Sequence, residues 1–222
     1  LSEVLITLVI IGVIAAITVP NIIQGSQNKE FHSALKKNIS VIENALNLAQ
    51  IEEGMMGDNT AIFMPSDSSD KHYETAKRFA KYLNTVKVCK DRTSDGCSDV
   101  YYKVRYDVKE FGTGYSNFNF ARIVLSDGAI YEVEQKECGS HYDSCVTDQY
   151  GNCKKDENGN ITVIPGYQSE CGFIRVDENG TKGPNKFGRD NFWLRVERDN
   201  IKINTWAPSG GSTGNDILIN KI

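Results

Sequence analysis

"LSEVLITLVIIGVIAAITVPN", residues 1–21, decides how the chain is read, because it sets one charge, Glu3, at the head of a run that is otherwise almost wholly apolar. Across residues 4–19 only Thr7, Gly12 and Thr18 interrupt the apolar side chains. The run lies near the lower limit of the roughly 17 to 25 residues that span a bilayer, so a membrane-spanning helix is predicted. A cleaved signal peptide is disfavoured for want of a basic stretch ahead of the run, and a buried core helix because the run is apolar all round. At the centre of a membrane helix a carboxylate costs about 2.5 to 3.5 kcal/mol, and less near an end. Two uses of Glu3 stand open. It can complement the positive end of its own helix, worth about 0.3 to 1 kcal/mol. Alternatively it can meet the N-terminal amine of a neighbouring copy in a staggered bundle, a pairing that would set register between subunits.

Beyond Pro20 the composition turns polar while the helical period persists. Phe31, Leu35, Ile39, Ile42, Leu46 and Ala49 recur at steps of four, four, three, four and three, one apolar stripe. Lys29, Glu30, Lys36, Lys37, Asn38, Glu43, Asn44 and Asn47 take the other faces, and Gly54 marks a stop. The two segments read as one rod of roughly 80 Å, kinked or loosened at Pro20, with its second half amphipathic.

At this point residues 1–8, then Ile11-Gly12-Val13-Ile14-Ala15-Ala16, then Val19-Pro20 resemble the N-terminal segment of the type IV pilin and type II secretion pseudopilin family. The match is close over about twenty residues and holds in pattern over the next thirty. In that family a prepilin peptidase removes a short basic leader and the new N-terminal residue is methylated. The resemblance equates Glu3 with the family's assembly glutamate and Pro20 with the proline where the helix loosens. The family places two more residues before the equivalent of Leu1, so the cleavage and methylation site is expected to precede it.

From Met55 onward the hydrophobic pattern shortens. Residues 70–86, with Ala76, Phe79, Ala80 and Leu83 on one face, predict a short helix. Strands are predicted over 100–108, 118–125, 129–134, 172–176, 191–197 and 201–205, with a hairpin at Ser126-Asp127-Gly128 and a turn at Asp199-Asn200. The tail "WAPSGGSTGND" reads as a flexible loop, and 217–222 as a returning edge strand. An antiparallel sheet with one oily face needs cover, which the stripe from Phe31 to Ala49 would supply. The expected fold class is therefore α+β: a long N-terminal helix, membrane-spanning in one half and amphipathic in the other, packed on an antiparallel sheet head, as the pilin resemblance also implies. Three regions follow: 1–20 as membrane or filament-core helix, 21–54 as its amphipathic continuation, and 55–222 as the globular head.

Six cysteines and no C-x-x-C read as disulfides of an oxidising compartment. Cys89 and Cys97 enclose a turn-rich loop and form the favoured local bridge; Cys138 with Cys171 and Cys145 with Cys153 are the favoured remaining pairs among fifteen possible pairings. A zinc site using His141 is disfavoured, since these cysteine spacings fit no closed tetrahedral pattern.

Two loops, "DENGN" at 156–160 and "DENGTKGPN" at 177–185, are rich in oxygen ligands. Neither matches the calcium-loop spacing, and Asn-Gly turn chemistry accounts for both. The stretch 176–192 resembles the C-terminal part of pseudopilin-like proteins, some of which bind calcium there. Asp177, Asn179 and Asp190 are the calcium candidates on that resemblance; otherwise no cofactor is expected.

No catalytic motif is present, and His32, His72 and His141 are widely separated, so an enzyme is not expected. Tyr101, Tyr102, Tyr106, Tyr115, Phe118 and Phe120 could form a binding surface, but alternating strand faces of a core account for most of them. With 25 basic against 29 acidic residues, a net charge of -4 and no basic block, no nucleic-acid partner is expected. The expected function is a structural subunit of a pilus-like or secretion-pseudopilus filament in a bacterium. Its head would face outside the cytoplasmic membrane, and its partners would be copies of itself, related subunits, the assembly machinery and the prepilin peptidase. The alternative is a membrane-tethered adhesion or binding module that does not polymerise.

Overall fold

The computed structural model describes residues 2–108, 112–116, 119–138, 141–149, 152–167 and 169–203. The tail loop, the 217–222 strand and Phe118 lie outside them, as do the side chains of Glu3, Pro20 and His141.

Helix α1 runs Ser2–Glu52 and helix α2 runs Lys71–Ala80. Ten strands follow in chain order: β1 Thr85–Cys89, β2 Val104–Val108, β3 Gly112–Ser116, β4 Ala121–Leu125, β5 Ile130–Gln135, β6 His141–Cys145, β7 Val163–Tyr167, β8 Glu170–Asp177, β9 Asn191–Glu197 and β10 Ile201–Ile203. Six form one antiparallel sheet in the order β1-β4-β5-β8-β9-β10; β2 with β3 and β6 with β7 make two small ribbons.

The expected fold is corrected in its first half. Among the described residues no helix is long and apolar enough to cross a membrane. The physical reason is length: about sixteen apolar residues at 1.5 Å each reach about 24 Å, short of a hydrocarbon core of about 30 Å. The apolar stretch 6–19 is also not packed on the sheet; its large hydrophobics stand exposed. Instead of one long helix, the sheet's inner face is covered jointly by the later turns of α1 and by α2. Ile42, Ala45, Leu46 and Ala49 of α1 and Ala76 and Phe79 of α2 join Ile123, Tyr131, Val133, Ile174, Val176, Leu194 and Val196 in one buried cluster. Leu35 packs separately on Phe192.

Several strands lie where the short apolar-rich runs place them, among them β9 at 191–197 and the β4–β5 hairpin. That hairpin closes because Asp127 Oδ1 accepts the Ala129 N–H at 3.1 Å and Gly128 takes φ +93°, a conformation that favours glycine. The predicted 70–86 helix is shorter, ending at Ala80, and Thr85 and Val86 belong to the edge strand β1. The predicted strand over 100–108 begins only at Val104, since Ser98–Val100 is a 3₁₀ turn.

Candidate assembly surface and the acidic cluster

Ten large hydrophobics from Val4 to Val19 are exposed, between 49% and 64% of each residue. The two threonines inside this stretch do not break it chemically: Thr7 Oγ1 donates to the Val4 carbonyl at 2.9 Å and Thr18 Oγ1 to the Ile14 carbonyl at 2.8 Å. Their hydroxyls are satisfied by their own helix, so each presents its methyl group without a polar demand on a neighbour. At Gly12 an added Cβ would meet nothing within 4 Å, so the stretch carries a shallow notch there. Glu3 lies on α1 one residue ahead of Val4.

Further along α1 the apolar stripe is joined to the head by polar ties. Lys37 Nζ pairs with Asp127 Oδ2 at 2.6 Å, and Tyr131 donates its hydroxyl to Asn38 Oδ1 at 2.6 Å. The second tie is buried at both ends, so it fixes the axial position of the helix on the sheet.

The sheet's other face carries a charged row that the sequence reading did not name. Arg122, Glu132 and Arg175 stand opposite one another on β4, β5 and β8, all nearly fully buried. Glu132 Oε2 forms an ion pair with Arg122 Nη2 at 3.0 Å and another with Arg175 Nη2. The Tyr101 ring lies 4.3 Å from the Arg122 guanidinium, and Arg122 also donates to the Val100 carbonyl. Burial pulls the Arg122 guanidinium below its ordinary range while Glu132 opposes that fall.

Three carboxylates meet where β8 ends and β9 begins. Asp177 Oδ2 accepts the Tyr102 hydroxyl at 2.6 Å and the Asn191 amide, and its Oδ1 accepts the Asn179 N–H at 3.2 Å. Asp190 accepts the backbone N–H groups of Asn185 at 2.7 Å and Lys186 at 2.8 Å. Burial pushes the Asp177 carboxyl up to about 6, and Asp190 is raised by the same cause. Glu178, which the sequence reading missed, is displaced further: burial, then Asp190, Asp177 and Glu30, push it up to about 9. Neither of its carboxylate oxygens has a hydrogen-bond partner among the described residues.

Of the calcium candidates, Asp177 and Asp190 therefore lie close in the fold but spend their oxygens on internal donors, while Asn179 turns its Nδ2 to the Gly183 carbonyl at 3.2 Å. Among the described residues no group of three or more His, Cys, Asp or Glu side chains is disposed to hold a metal ion. The "DENGN" loop is a turn: Asp156 Oδ1 accepts the N–H groups of Asn158 and Asn160 at 2.9 and 2.8 Å, and Gly159 has φ +84°.

Disulfides join Cys89 to Cys97, Cys138 to Cys171 and Cys145 to Cys153. The second ties Cys138, just past β5, to β8 within the core, and the third closes a loop that starts at Cys145, the last residue of β6. His32 is half-buried on α1, and His72 accepts the Gln135 N–H at its Nδ1. Comparison of the chain with known protein families, with curated proteins and with solved structures finds no match.

Proposed function

We propose that the chain is a structural subunit that assembles with copies of itself, or with related subunits, through the apolar part of α1. The assembly is a filament of the type IV pilus or type II secretion pseudopilus kind. The observation that carries this reading is the row of ten exposed hydrophobics from Val4 to Val19 on a helix whose later turns are anchored in the head. A contiguous apolar surface of this size is unfavourable in water and marks an interaction site. The motif around Glu3 and Pro20 supports the same reading through its resemblance to pilin-like proteins.

The head belongs outside the cytoplasm, where its three disulfides form and persist. Before assembly the same apolar segment holds the subunit at the bacterial cytoplasmic membrane. Prepilin peptidase and the filament assembly machinery are its processing partners. The role is structural rather than catalytic.

Glu3 supplies register by meeting the N-terminal amine of the adjacent copy. The test is electron microscopy of filaments formed by the wild type and by Glu3→Gln, with α1 otherwise intact. The variant is expected to lose filaments while keeping a folded head; filaments of normal number and length in Glu3→Gln would overturn the register role.

A further inference from the structure

His72, the second residue of α2, holds its Nδ1 against the backbone N–H of Gln135, the last residue of β5, which donates at 2.9 Å. A ring nitrogen that accepts cannot carry a proton, so the imidazole is neutral with its hydrogen on Nε2. The ring lies against Phe120, with centroids 4.7 Å apart and planes at 57°. Gln135 is only 1% exposed and is a hub for this corner of the head. Thr75 Oγ1 donates to its Oε1 at 2.8 Å, and its Nε2 donates to the Phe63 carbonyl at 3.2 Å. Two residues of α2 and the 61–63 segment are thereby fastened to the end of one strand.

Beside the ring lies a cavity of about 190 Å³, lined also by Tyr73, Lys90, Asp91 and Asn119. The charged groups around the ring do not favour a second proton. Lys71 on its own helix and Lys136 just past β5 both repel it, and together with burial, the largest cause, they hold the imidazole below its ordinary value. Across the cavity Asp70 is paired with Lys90 at 2.7 Å, and Asp91 is occupied by Thr93 and Ser94.

We propose that His72 is an acid-sensitive pin: protonation of Nδ1 ends its bond to the Gln135 N–H and frees the first turn of α2 from the end of β5, widening the cavity. The sign follows from the depressed folded value. The stabilisation is complete above the unfolded imidazole value of 6.5 and is lost as pH falls through the lower folded one. This device is independent of filament formation.

The experiment is residue-resolved amide hydrogen exchange of the full chain at pH 7.5 and pH 5, corrected for intrinsic rates, on the wild type and His72→Asn. Asparagine keeps an acceptor near the Nδ1 position and does not titrate. The wild type is expected to lose protection at Gln135 and in the first turn of α2 at pH 5 relative to pH 7.5, with β9 unchanged, and His72→Asn to show no such loss. Equal wild-type protection at both pH values, or the same loss in His72→Asn, would overturn the pin. Should the variant not fold, the wild type alone decides: a loss of protection at Gln135 and the first turn of α2 whose pH midpoint matches the His72 titration followed by NMR supports the pin, and a loss with a different midpoint overturns it.

Discussion

Tyr131 of the central strand β5 and Asn38 of α1, ninety-three positions apart in the chain, share a buried hydrogen bond of 2.6 Å. Asn38 uses its other end on its own helix, donating Nδ2 to the Ala34 carbonyl at 2.9 Å. The amide is thus fully oriented, and the tyrosine hydroxyl is the acceptor oxygen's partner at the point where helix meets sheet.

Tyr131→Phe removes that hydroxyl and leaves Asn38 Oδ1 buried without a donor. The loss is expected to be about 1 to 3 kcal/mol, because an orphaned buried acceptor pays its full desolvation. Chemical denaturation of the variant measures it; an unchanged midpoint would mean that the bond does not hold α1 to the head.

Glu132 lies between two buried guanidinium groups and pairs with both. Glu132→Gln leaves both cations facing a neutral amide, and breaking a buried ion pair in this way costs about 3 to 5 kcal/mol. Thermal and denaturant unfolding should both register the change, with the three disulfides kept intact. A loss below about 1 kcal/mol would place the row's value elsewhere.

Glu178 gives the head an alkaline weakness. Its folded value is raised to about 9 from an ordinary 4.5, so the folded chain keeps a proton that the unfolded chain has lost. The associated stability is complete below the ordinary value and is lost as pH rises through the folded one. Glu178→Gln is expected to flatten the decline in unfolding midpoint between pH 5 and 9 seen in the wild type. Parallel declines in the two proteins would contradict the assignment to this carboxyl.

How much of this was legible in the sequence depends on the kind of order involved. The stripe from Leu35 to Ala49 was readable because helical burial recurs with a period the chain displays directly. Strands β4, β5, β8 and β9 were readable as short runs rich in β-branched and aromatic residues bounded by turn residues, although both of their faces are buried and no clean alternation marks them. β1 was hidden, because Thr85, Val86 and Val88 follow Leu83 closely enough to extend the preceding helical pattern. The β6–β7 ribbon was hidden for a different reason: Pro165 and Gly166 argue against a strand, and pairing with Tyr142 and Asp143 outweighs them.

Membrane crossing was over-read, since an apolar run can be helical and still fall short of bilayer thickness. The row Arg122, Glu132, Arg175 needs strand register, which no single strand's sequence contains. Asp177 and Asp190 were picked out as oxygen-rich loop residues. Which donors would engage them, and that the carboxylate oxygens of Glu178 would be enclosed beside them, followed only from the path of the chain.

The central claim is that the exposed apolar stretch of α1 exists to be covered by other subunits. Sedimentation velocity of the protein after detergent removal, beside an Ile10→Asp/Ile14→Asp variant, tests it most directly. Both positions are exposed and distant from the head's core, so the variant's head should unfold at the wild-type midpoint. The account predicts large, regular polymers for the wild type and monomers for the variant. A wild type that remains monomeric without detergent, or a variant that polymerises equally well, would contradict it.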